Sequence, residues 1–134
     1  MREFTKKAIS IPFVDGGRDF SGWDCWGLIL AIYEHCFRIR LPYGEGFSCE
    51  APEAAAQALL DGAKAWVQVP IGREKIGDVI LAKPCHVGVV LGKGRMIHCR
   101  YKTDTVIEHY DNTLWRRQII GIYRHARLAS NTAA

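Results

Sequence analysis

One stretch constrains the chain more than any other: Ser21-Gly22-Trp23-Asp24-Cys25-Trp26-Gly27-Leu28-Ile29-Leu30-Ala31-Ile32-Tyr33-Glu34-His35-Cys36-Phe37. From Cys25 onward, Leu28, Ile29, Ile32, Tyr33, Cys36 and Phe37 recur at steps of three and four. That is the period of a helix packed on a core. Ser21, Gly22 and Asp24 supply N-cap chemistry, so the spacing predicts a helix from about Cys25 to Phe37 with Cys25 in its first turn. A thiol there feels the positive end of the helix dipole, which favours thiolate. Cysteine is otherwise a small buried hydrophobe, so a reactive Cys25 requires a basic partner elsewhere in the chain.

Residues 1–20 read as an irregular arm, turned at Pro12 and at Asp15-Gly16-Gly17. The segment 41–46 reads as a loop, and 52–61 as a second, shorter helix with Pro52 in its first turn and Gly62 as its stop. After Gly62 the period changes to that of strands, at 66–69, 78–82, 86–91, 95–100, 105–109 and 119–124. Spacings between them are short enough for antiparallel hairpins. Helices first and strands after imply an α+β domain. A chain of 134 residues is expected to form one such domain, with no repeat or linker to divide it.

The hairpin of His86-Val87-Gly88-Val89-Val90-Leu91 and Arg95-Met96-Ile97-His98-Cys99-Arg100 supplies the partners. Gly92-Lys93-Gly94 is a common type of three-residue connection. With Leu91 against Arg95, Val89 falls opposite Ile97 and Gly88 opposite His98. His86 and His98 then share one face as diagonal neighbours, roughly 7–8 Å apart at Cα. Gly88 leaves room for His98 to lean towards His86. Val87, Val89, Ile97 and Cys99 form the other, core-facing side.

Cys85-His86 with His98-Cys99 resembles a zinc-ligand set by residue type. Alternation along the strands turns both cysteines away from the face that holds the histidines, which argues against one four-ligand site. A cysteine at a helix start and two histidines stacked on a hairpin are instead the parts of an activated-thiol site. Cys25 attacks, His86 orients it and protonates the leaving group, and His98 holds the His86 ring. No metal and no cofactor is called for.

At these residues the chain resembles the NlpC/P60 family of papain-like cysteine peptidases. Asp24-Cys25-Trp26-Gly27-Leu28, Gly77-Asp78-Val79-Ile80 and His86 to His98 carry the likeness, which runs from about Phe13 to Arg124. The resemblance implies a papain-like α+β fold, with N-terminal helices packed on an antiparallel sheet. It implies Cys25 as nucleophile, His86 as base and His98 as the residue that orients it. It also implies hydrolysis of amide bonds in peptidoglycan stem peptides, next to γ-D-glutamyl residues. The alternatives with the same fold are acyl transfer or amidase action at the same site, and a catalytically silent scaffold.

Two positions depart from the family pattern. Phe13 stands where a Tyr is common near the substrate and oxyanion hole, and Trp26 stands where Ser often follows the nucleophile. Trp26, with Gly16-Gly17-Arg18 and Trp115-Arg116-Arg117, looks most like the phage tail-assembly branch, which implies tail proteins as partners and a place in the virion. The backbone N–H of Cys25 is a ready oxyanion donor. Asp24 reads first as a helix cap and second as a group that orients a substrate amine. Arg18 is a candidate ligand for a stem-peptide carboxylate, because Arg binds carboxylates bidentately. Trp23, Trp26, Trp66 and Trp115 either line a groove or fill the core.

Charge and composition fit this reading. The net charge of +4 is mild and scattered, which argues against nucleic acid and suits an anionic wall polymer. The first residues lack the apolar run of a secretory signal and no later stretch would span a bilayer, so synthesis in the cytoplasm without a signal peptide is expected. Five cysteines with no paired spacing favour reduced thiols. Cys36 reads as core; Cys49 and Cys85 have no basic partner, and His35, His109 and His125 have no supporting pattern.

Overall fold

A computed structural model describes residues 1–41, 66–83 and 86–128. The expected helix at 52–61, most of the loop at 41–46, and Cys49 and Cys85 lie outside them. The chain opens with helix α1 (Arg2–Ala8), where an irregular arm was expected. Phe4 and Ala8, four residues apart, are its buried face. Phe4 stacks on Trp23 at 6.2 Å and meets Phe20 edge-on at 5.8 Å. Glu3 in the first turn and Lys6 and Lys7 in the last complement the helix dipole. A seven-residue helix is marginal alone, and it is this aromatic packing that holds it.

A two-stranded hairpin follows, β1 (Arg18–Asp19) with β2 (Gly22–Trp23), and it leads into α2 (Cys25–Ile32). The helical run continues to Phe37, as the spacing predicts, but Tyr33–Phe37 winds as a π-helical turn. Arg38, in the left-handed region at φ 55°, closes it with its N–H on Tyr33 O.

Among the described residues, six strands form one antiparallel sheet: β3 (Trp66–Val69), β4 (Val79–Ala82), β5 (His86–Gly92), β6 (Arg95–Cys99), β7 (Thr105–His109) and β8 (Ile119–His125). Their order is β3-β8-β4-β5-β6-β7. A short helix, α3 (Thr113–Gln118), joins β7 to β8, so the last strand returns between β3 and β4. The α+β architecture and all six strands match the sequence reading.

Alternation along the strands divides the core in two. Val79, Leu81, Val87, Val89, Ile97 and Cys99 pack with Leu28, Ile29 and Ile32 of α2 and with Phe4 of α1. Ile80, Ala82, Val90, Met96 and Ile122 face the other way and pack with Tyr110 and Trp115.

The β5–β6 register is the expected one, with Gly88 opposite His98 and Val89 opposite Ile97. The turn end differs. Gly92, not Leu91, pairs with Arg95, and Leu91 is bulged out. Lys93 and Gly94 both have positive φ, 57° and 71°, so the connection is a two-residue loop of the kind whose twist matches the strands. The bulge absorbs the extra residue.

Candidate active site

Each side chain of the sequence-derived set is placed by a local rule. Asp24 caps α2: its Oδ1 accepts from the Gly27 N–H at 2.7 Å. The same Oδ1 accepts from Arg18 Nη1 at 2.8 Å, and Oδ2 accepts from the Gly16 N–H at 3.2 Å. The cap is thus braced from two sides, and Cys25 opens the helix directly behind it. Gly27 has a steric duty, since a Cβ there would run into Gly17 O and Trp23 Cβ. That contact lets the β1–β2 hairpin lie close against the first turn of α2.

Helix α2 packs across β5 and β6, the strands that carry both histidines. Cys25 is 3% exposed and belongs to the cluster of Val87, Val89 and Ile97. His86 is the first residue of β5, and its Nε2 lies 2.7 Å from His98 Nδ1. Gly88 makes this approach possible: a Cβ on it would sit 3.0 Å from Met96 Sδ and 3.3 Å from His98 Cβ. Cys99 turns to the opposite face, with Sγ towards Ile11 O and Trp23 O, as alternation requires.

The row extends beyond the predicted residues. His98 Nε2 lies 2.8 Å from Glu108 Oε2, and the Trp115 Nε1–H donates to Glu108 Oε1 at 3.2 Å. Trp115 is almost fully buried and walls both rings, 5.5 Å from His98 and 6.2 Å from His86. Asn112 fixes its helix, accepting from the Trp115 N–H at 2.9 Å. The Arg100 guanidinium lies 4.5 Å over the Trp115 ring. Glu108 is absent from the sequence reading, although the diagonal rule that joined His86 to His98 also finds it. Met96 pairs with Glu108 and His98 with Val106, which makes Glu108 the diagonal neighbour of His98 on β7.

Electrostatically the two histidines are held neutral. Burial, then the neighbouring His98 and Arg100, push His86 down to about 3. Burial also lowers His98, opposed by Glu108 and assisted by Arg100. A neutral His86 is a base ready to take a proton.

The remaining candidates have duties of their own in the fold. Phe13 is half-buried, edge-on to the exposed Tyr101 at 5.5 Å, and bridges to Trp23. Trp26 is buried in the second position of α2. Arg18 Nη1 is engaged by Asp24 and by Gly17 O, so its first duty is to the helix cap. Trp23 is core and bonds Thr105 Oγ1 through Nε1.

Comparison with known proteins shows what the chain is similar to. The model of the NlpC/P60 family matches residues 10–124. The chain is 28% identical over 130 residues to the gamma-DL-glutamyl hydrolase of Bacillus subtilis, a match that covers 92% of this chain but 28% of that protein. Among solved structures, it is similar to an NlpC/P60 family protein from Bacillus cereus, with TM-score 0.69 and 21% identity over 92% of this chain and 38% of that one. It is also similar to the NlpC/p60 domain of the peptidoglycan hydrolase SagA, with TM-score 0.64 and 20% identity over 92% and 94%.

Proposed function

The chain belongs to the NlpC/P60 family, and from that premise we propose that it is a cysteine hydrolase cutting γ-D-glutamyl-type amide bonds in peptidoglycan stem peptides. The single observation that carries the reading is the His86 Nε2 to His98 Nδ1 bond, which leaves His86 Nδ1 as the base. The names of the gamma-DL-glutamyl hydrolase and of the peptidoglycan hydrolase SagA support the substrate class.

The step that the proposal adds is contact between Cys25 Sγ and His86 Nδ1. As Sγ attacks the carbonyl carbon, His86 takes the thiol proton. The C–N bond breaks and His86 delivers that proton to the leaving amine. Water then attacks the thioester, gives a proton to His86, and Cys25 leaves and recovers it. The Cys25 N–H at the start of α2 stabilises the oxyanion. Burial holds His86 below its ordinary range, and in this proposal it acts as the general base.

Purified protein is expected to release products from a γ-D-glutamyl stem peptide, read by mass spectrometry. Cys25→Ala and His86→Ala are expected to lose on the order of 10⁶-fold in rate. Parent-like rates in both would overturn the mechanism. With an added amine acceptor, the products separate hydrolysis from acyl transfer.

We further propose a place in a phage tail, supported by Trp26, Gly16-Gly17-Arg18 and Trp115-Arg116-Arg117. Arg18 braces the α2 cap and Trp115 walls the histidines, so these residues have local duties with or without a tail. Co-sedimentation of the protein with intact virions tests the placement.

A further inference from the structure

Glu108 lies outside the Cys25, His86 and His98 set, yet it closes a row that crosses three strands. His86 is two residues before Gly88, which faces His98; Glu108 is two residues after Val106, which also faces His98. The three side chains therefore descend diagonally across β5, β6 and β7 on one face, each bonded to the next.

The donors and acceptors in that row admit one direction. Indole Nε1 is a donor only, so Glu108 Oε1 accepts from Trp115. The other carboxylate oxygen can only accept as well, so His98 Nε2 carries a hydrogen. A neutral imidazole has one N–H, which leaves His98 Nδ1 bare and obliges His86 Nε2–H to donate to it. His86 Nδ1 is then bare in turn. Burial and Arg100 keep both rings in the neutral state that this logic needs.

We propose that Glu108, with its carboxylate oriented by Trp115, is a positioning residue that sets the tautomers of both His98 and His86. It acts through the two rings, by way of its bond to His98. Its effect on turnover rests on the proposed cysteine hydrolase reading; its effect on the tautomers does not.

The test is ¹⁵N NMR of the histidine rings at pH 7 on the whole protein. In the parent, Nδ1 of both His86 and His98 is expected in the pyridine-type range and Nε2 in the pyrrole-type range. Glu108→Ala removes the acceptor, and a mixture of tautomers is expected at both rings. Glu108→Gln presents an amide N–H₂ either to the Trp115 N–H or to His98 Nε2, and the second arrangement reverses the row. Glu108→Gln combined with Trp115→Phe frees a place for the amide nitrogen and is expected to restore the parent pattern. Turnover is expected to fall at least about tenfold in Glu108→Ala, as for other bases held in the wrong tautomer. Unchanged ring signals in both Glu108→Ala and Glu108→Gln would overturn the inference, whatever the enzyme assay shows. Shifted signals in a parent protein inactive on stem peptides would keep it and sink the hydrolase reading instead.

Discussion

Both faces of the β5–β6 hairpin are buried and both carry apolar residues, but one of them also holds a row of polar side chains beside Val90 and Met96. Val87, Val89, Ile97 and Cys99 meet α2 as a set of interchangeable apolar volumes. His86 and His98 meet Trp115 and Glu108 as a chain of donors and acceptors whose order is set from the Glu108 end. The apolar face fixes the register, because a slip by one residue would send every side chain to the wrong side. The polar row depends on that register for all of its geometry. Substitutions of the apolar residues on either face should therefore read out mainly as stability, and those of His86, His98 and Glu108 mainly as rate.

Adjacent residues of β6 give the sharpest contrast. Ile97→Ala is expected to destabilise the protein by about 2–5 kcal/mol, seen as a lower urea midpoint, with turnover per folded molecule near the parent's. His98→Ala is expected to reduce turnover by roughly 10²-fold, within the range of a misaligned general base, with a smaller stability change. If the two variants showed the same balance of stability and rate, the division between apolar residues and polar row would be wrong.

A pH series tests the buried histidines, and the His86→Ala variant isolates the share of His86. The folded protein holds His86 at about 3, below its ordinary value near 6.5. Between those values the unfolded chain takes up a proton that the folded chain refuses. Stability is therefore complete above about pH 6.5 and lost progressively as the pH falls towards 3. His98 and His125, both lowered mainly by burial, act with the same sign. Urea midpoints from pH 7 to pH 4 should fall more steeply for the parent than for His86→Ala, and equal slopes would remove the assignment.

The smallest effect is expected at the cap. Asp24→Ala removes the acceptor of the Gly27 N–H and the partner of Arg18, a loss of about 1 kcal/mol. Asp24→Asn, which still caps, should recover most of it, measured by thermal melting.

Much of the site could be read along the chain because it follows local rules. Asp24 announces a helix start, Gly88 opposite His98 follows from strand alternation and a short connection, and Cys99 is turned away by the same alternation. Glu108 escaped because its place depends on the β6–β7 register. That register spans the five residues 100–104, a connection whose length does not by itself fix the pairing. Helix α1 escaped for a different reason: its apolar signal is Phe4 and Ala8 alone, and its packing partners Phe20 and Trp23 are remote in sequence.

The sequence by itself determined the elements whose cause lies within a few residues: the helix that Cys25 opens, the run of strands, and the pairing of His86 with His98. Only the tertiary structure decided what surrounds them. It placed Trp115 against both rings, Arg100 over Trp115 and Glu108 at the end of the row. Those contacts are set by how separate elements pack, and no local period encodes where two distant segments will meet.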